Sequence, residues 1–150
     1  MVVVEIVDAY GHENVLATHG TTFEITKQTA LTKRGDCVIA TGASKGAKNL
    51  SEEFKKAMKR ETARVTIIID AGEAREVVVA RGSPQLLFTH PTDMVVRKSS
   101  YACGRTIAIE ANKSARDFSM NFVEKIQSAT QSIRITLVLK NNQVSASTAT

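Results

Sequence analysis

The sequence predicts a mainly β (α+β) fold, a pseudo-twofold β-sandwich or barrel built from two repeated halves with two covering helices. Three observations carry that expectation. Apolar runs of strand length recur along the chain, among them Val2-Val3-Val4, Val65-Thr66-Ile67-Ile68-Ile69 and Ile135-Thr136-Leu137-Val138-Leu139. Sliding the chain against itself by 71 positions aligns Glu5 to Lys27 with Glu76 to Lys98 without a gap, and nine of the 23 pairs are identical. Ordinary composition would give about one or two identities, so chance explains the match poorly. Only two segments carry a helical period instead.

In each half, the segment before Gly11 or Gly82 and the one after it read as a β-hairpin, with turn chemistry in Gly11-His12-Glu13-Asn14 and Gly82-Ser83-Pro84-Gln85. A third strand follows each Thr-His corner. Phe23 and Ile25 match Met94 and Val96 on one of its faces, whereas Glu24 and Thr26 become Val95 and Arg97, which marks the first face as the core side. The first helix starts at Ser51, a favoured N-cap, carries Glu52 and Glu53 in its first turn, and stripes Leu50, Phe54, Ala57 and Met58 along one side. The second is expected from about Lys113 to Gln127, with Phe118, Phe122 and Ile126 inward. A final strand closes each half, with Arg64-Val65-Thr66-Ile67 matched to Arg134-Ile135-Thr136-Leu137. The reading is one domain over residues 1–140, with halves of about 1–71 and 72–140, and a disordered polar tail over 141–150.

A chain of 150 residues with 43% hydrophobic content has enough apolar surface for one core. Met1 leads straight into a strand-length run with no basic n-region, and no stretch is long enough to span a bilayer, so the expectation is a cytoplasmic protein with no membrane partner. Cys37 and Cys103 stand singly, which forms neither a disulfide framework nor a closed zinc site. The net charge of +5 permits attraction to phosphate, yet there is no Trp and no basic-aromatic motif on which bases could stack.

The run Gly11-His12, Ala17-Thr18-His19, Thr21-Thr22, Glu24, Thr26-Lys27, Leu31-Thr32 and Arg34-Gly35-Asp36-Cys37, continued by Ala80-Arg81-Gly82-Ser83-Pro84, Thr89-His90-Pro91-Thr92-Asp93 and Arg97-Lys98-Ser99-Ser100, resembles a mainly archaeal family, domain of unknown function family 371. The resemblance covers nearly the whole chain up to the tail. It implies a mainly-β fold of sandwich or barrel type and supplies no catalytic residues.

Chemistry is sought first in the duplicated Glu and Thr-His-x-Thr pattern. Hairpin geometry would set Glu5 opposite His19 or Gly20, and Glu76 opposite His90 or Pro91, giving each half a carboxylate beside an imidazole. Two such corners meeting at a pseudo-twofold axis would suit paired acid/base work or a divalent metal, with His19 and His90 as candidate ligands. The same Thr-His-x-Thr corners also serve plain turn chemistry, in which hydroxyl and ring atoms satisfy turn amides.

A second candidate is basic. There are ten basic against nine acidic residues in 1–71, and ten against six in 72–150. Arg81, Ser83, Arg97, Lys98, Ser99 and Arg105 supply the guanidinium, ammonium and hydroxyl donors that phosphate or carboxylate recognition needs, and a solvated basic edge is the competing reading. The function read from the sequence is a cytoplasmic domain that binds a small anionic, phosphate-bearing ligand, with any chemistry supplied by His19, His90, Glu5 and Glu76. The alternative is a non-enzymatic interaction module for RNA or an acidic protein partner.

Overall fold

The first strand, β1 (Val2–Tyr10), alternates outward and buried residues without a break, as a strand with one packed face must. In the computed structural model, which describes residues 2–141 without the Asn141 side chain, it is followed by β2 (Thr22–Thr26), β3 (Val38–Ala40), α1 (Glu52–Met58) and β4 (Ala63–Ala71). The same succession then recurs as β5 (Ala74–Arg81), β6 (Asp93–Arg97), β7 (Thr106–Ala108), α2 (Met120–Ile126) and β8 (Ser132–Asn141). A 3₁₀ turn precedes each helix, at Ala47–Asn49 and Ala115–Asp117. The tail expected over 141–150 lies outside the described residues, except that the backbone of Asn141 ends β8.

Two four-stranded sheets result, ordered β1-β8-β4-β5 and β3-β2-β6-β7. Each therefore pairs one strand from each half at its centre. Single bridges at Tyr10–Thr41 and Arg81–Ile109 join the sheet edges without closing a continuous barrel, so the architecture is sandwich-like. The core fills the space between the sheets with Phe23, Ile25, Met94 and Val96 from one side and Val7, Ile67, Ile69 and Leu137 from the other. Both helices pack on the first sheet. Each has seven residues, too few for a helix to persist alone. Burying Phe54 and Met58, or Phe122 and Ile126, supplies about 1.5–3 kcal/mol per side chain and fixes them in place. No helix among the described residues is long and apolar enough to cross a membrane.

Three local expectations are corrected. The segment after Gly11 does not fold back on β1. β1 pairs with β8 instead, and β2 crosses to the other sheet, where it pairs with β6. Gly11 explains the departure, because a Cβ there would sit 2.3 Å from the Ser128 carbonyl oxygen and 2.4 Å from that of Ile126. The chain is thus pressed against the end of α2 in the opposite half, and Gly82 meets the Met58 carbonyl at the end of α1 in the same way. The tight hairpin is the junction of the halves, β4 to β5, where Gly72 takes a φ of +63°. The second helix is also shorter than expected. Glu76 holds the Ser119 amide and Ser119 Oγ accepts from the Phe122 amide, so the helix restarts after its 3₁₀ turn. Finally, Glu5 faces Leu137 across β1–β8 while Glu76 faces Ile69 across β5–β4. Ile67 therefore corresponds to Ile135, two residues from the sequence match. A two-residue slip keeps every side chain on its face, which is why the pattern could not reveal it.

Candidate functional site

Glu5 and Glu76 are held by the helices rather than by the histidines. The buried Glu5 carboxylate accepts from the Ser51 amide at 3.1 Å and from Lys45 Nζ at 3.2 Å. Glu76 repeats the arrangement with the Ser119 amide at 2.9 Å and Lys113 Nζ at 2.8 Å. Each ties the N-cap residue of a short helix to the strand beneath it.

His19 and His90 sit in matching corners. His19 Nδ1 accepts from the amides of Thr21 and Thr22, and His90 Nδ1 from those of Thr92 and Asp93. These bonds put the ring hydrogen on Nε2 in both cases. The corners lie at opposite ends of the antiparallel β2–β6 pair, in which Thr22 faces Arg97 and Thr26 faces Asp93. Four residues of strand rise alone separate them by about 13 Å. The strand pairing therefore does not bring the two rings together, and no group of three or more His, Cys, Asp or Glu side chains placed to hold a metal occurs among the described residues. The crossing has a further effect: the Lys98 amide bonds to Thr21 of the first corner, and the Lys27 amide to Thr92 of the second. The backbone of each half thus closes onto the other half's corner.

The six donors expected to line one anion cleft are divided. Arg81 pairs with Glu110 at 2.7 Å, and the same carboxylate takes the Ser100 hydroxyl at 2.7 Å, which together hold Glu110 down at about 2. Ser83 is buried in its turn, accepting from the Gln85 amide. Ser99 Oγ accepts from the Tyr101 amide, and Lys98 bonds Asp117 at 3.3 Å. Arg97 and Arg105 alone come together, on the outer face of the second sheet.

The strand alternation implies an open outer face there. It is buried: Val38, Glu24, Val95 and Thr106 form a cross-strand row at its centre, and residues preceding β3 and β7 fold over it. Around Glu24 stand Arg105, with Nη1 at 3.6 Å, and the Cys37 thiol, which donates at 3.8 Å. Arg105 Nη2 lies 3.5 Å from Asp93, whose carboxylate also accepts from the Thr26 and Thr92 hydroxyls at 2.8 and 3.0 Å. His90 Nε2 is 3.8 Å from the same carboxylate. Arg97 bonds the Thr106 hydroxyl through Nε at 2.9 Å, reaches Cys103 Sγ with Nη2 at 3.4 Å, and stacks over Tyr101.

Burial, and after it the charge of Asp93, pushes the Glu24 carboxyl above its ordinary value against the pull of Arg105. Burial likewise drives the Cys37 thiol up to about 11, with Glu24 adding to it. At Cys103 burial also opposes ionisation, but the Arg105 amide, the Thr106 hydroxyl and the Arg97 guanidinium outweigh it and hold that thiol below its ordinary value. Glu24 and Asp93 were absent from the sequence candidates. Their signal was the loss of identity at Glu24/Val95 and Thr22/Asp93: a charge placed within the strand, at its middle or its first residue, in one half only.

Two hollows elsewhere, of about 470 and 420 Å³, are lined by Asp8, Tyr10, Asp70 and Arg134 and by Leu16, Arg116, Phe118 and Met120. Neither reaches Glu24, Arg97 or Arg105. A family model described as a domain of unknown function (DUF371) matches residues 7–140. The chain belongs to this family. It is also similar to an uncharacterised protein of Methanocaldococcus jannaschii, 43% identical over 122 residues, which span 81% of this chain and 90% of that one.

Proposed function

We propose that this DUF371 protein binds a small anionic, phosphate-bearing molecule on the outer face of the second sheet, through Arg97 and Arg105, with Glu24 beside them as the acid/base group. The observation that supports it is the state of Arg105. Its two carboxylate neighbours lie at 3.6 and 3.5 Å, outside good hydrogen-bond range, and the side chain is half exposed. Its donors are aimed but not consumed. A raised carboxyl such as Glu24 can hold a proton closer to neutral pH than an ordinary glutamate, which both lessens repulsion of an incoming anion and suits proton transfer to it. In this reading the two halves are diverged copies, and the site lies at the pair Glu24–Val95, where one half buries a carboxylate and the other a valine. An RNA or acidic-partner role has less support, since Lys45, Arg81, Lys98, Lys113 and Arg134 are all tied to carboxylates of the chain itself.

The test is a thermal-shift titration with inorganic phosphate, pyrophosphate and a panel of phosphorylated metabolites. A ligand at one hundred times its Kd should stabilise the protein by about 2.7 kcal/mol. Arg105→Gln should abolish the shift, while Arg81→Gln, away from the site, should retain it. Flat melting curves across the panel, or an unchanged shift in Arg105→Gln, would remove the proposal.

A further inference from the structure

The two sheets treat their outer faces differently. That of the second sheet is covered, whereas that of the first carries large apolar side chains into solvent: Val2 is 59% exposed, Val4 51%, Ile6 45%, Val79 46% and Val77 40%. The strand registers arrange this face in cross-strand rows. Val4, Val138, Thr66 and Val79 make one row, and Ile6, Thr136, Ile68 and Val77 the next. Eight β-branched residues thus form one continuous patch on all four strands. On one side it is bordered by Asp8, Arg134, Asp70 and Arg75, joined by Arg134–Asp8 at 3.1 Å and Arg75–Asp70 at 2.6 Å.

We infer that this face is the interface of a twofold homodimer in which the first sheets of two copies pack face to face. Sequence correspondence between the halves shows that the fold does not demand the patch. The row through Val4 and Val79 corresponds to the charged row, since Val4 matches Arg75 and Val79 matches Asp8 at the 71-residue shift. Equivalent outward positions accept charge on one side of the central row and are apolar on the other. Contiguous exposed apolar surface rimmed by charge marks a contact surface. Four strands at about 4.8 Å spacing and four rows at about 6.7 Å give each copy a face of roughly 19 by 27 Å, enough for an interface at the small end of the specific range.

A second copy is the occupant that the charges fit. Across the strands the border row reads acid, base, acid, base. A twofold axis parallel to the strands, between β8 and β4, sets each row on its own reverse, so Asp8 meets the partner's Arg75 and Arg134 meets the partner's Asp70. The apolar rows meet themselves in the same operation. At the far border, where the row reads Val2, Lys140, Arg64 and Arg81, Val2 meets the partner's Arg81, held back on Glu110, and the one like-charge pair, Lys140 with the partner's Arg64, is eased because Arg64 turns back to the Glu61 and Ala63 carbonyls.

Sedimentation equilibrium and light scattering on the full chain test this. The expected mass is twice the 16.3 kDa of one chain at micromolar concentration. Val79→Asp should give a folded monomer with an unchanged circular dichroism spectrum. Asp8→Arg should weaken association at least about tenfold, because it sets like charge against the partner's Arg75 twice in each dimer. Adding Arg75→Asp should recover most of that loss, because the reversed row is complementary again. A wild-type monomer at all concentrations, or a dimer indifferent to Val79→Asp and to Asp8→Arg, overturns the inference. Either result leaves the anion site untouched, since that site lies on the other sheet.

Discussion

The helix starts and the outer face of the second sheet make an instructive pair of regions. At the helix starts the two halves agree partner for partner: Glu5 with Ser51 and Lys45, and Glu76 with Ser119 and Lys113. On the outer face they disagree at nearly every position, with Glu24 set against Val95, Thr26 against Arg97 and Thr22 against Asp93. Agreement between halves follows folding needs, because each half must anchor its own helix by the same bonds. Disagreement is where one half has been released from that need, and it coincides with a buried, mixed-charge cluster.

The comparison breaks most directly at the helix starts. Glu5→Ala and Glu76→Ala each leave an N-cap amide and a half-buried ammonium without their acceptor, and each should cost about 3 kcal/mol in urea denaturation. The two losses should agree within about 1 kcal/mol. A large inequality, or a loss below about 1 kcal/mol at both, would mean that the duplicated glutamates are not equivalent anchors.

The outer face is tested next through its cysteines, neither of which has a cysteine at the matching position. Cys103 is held below its ordinary ionisation and Cys37 is driven up to about 11, so at pH 8 the thiolate fractions differ strongly. The more basic thiolate is the better nucleophile, which reduces the difference in rate to about tenfold. Iodoacetamide labelling followed by peptide mass mapping should modify Cys103 first. Equal rates, or Cys37 ahead, would contradict the polarity assigned to the two loops. Arg97→Gln should narrow the gap by removing the guanidinium contact to Cys103.

Much of the fold was legible because it rests on local pattern. The alternation in β1, the Phe23 and Ile25 face and the Ser51 cap all follow from period and capping chemistry within a few residues. The pairing of strands was not, since β1 with β8 and β2 with β6 join residues far apart, and Gly11 looks like an ordinary turn glycine until α2 is against it. The candidate site was legible in part. Arg97 and Arg105 stood out by charge, whereas Glu24 looked like a solvent-facing alternate until Cys37 and Arg105 are folded over it. The Glu and His pattern drew notice by its duplication, yet identical turns and caps duplicate for the same reason that identical catalytic groups would.

The smallest effect sharpens the comparison at its centre, where Glu24 faces Val95. The folded-state ionisation of Glu24 lies above that of the unfolded chain, first because of burial and then because of Asp93. The folded state therefore holds a proton that the unfolded state has already released. Its contribution to stability is present below the unfolded carboxylate range near pH 4.5 and is lost as pH rises through the folded value. Glu24→Gln removes the ionisation while keeping the size of the side chain. The variant should gain on the wild type as pH rises from 4.5 to 7 and show no such gain below 4.5. Subtracting the two stability curves cancels the titration of carboxylates distant from the site, so the sign of the difference is decisive. A difference that falls with pH would mean that Arg105 dominates and that Glu24 is an ordinary paired carboxylate, leaving Val95 and Glu24 as two equally settled ways of filling the same position.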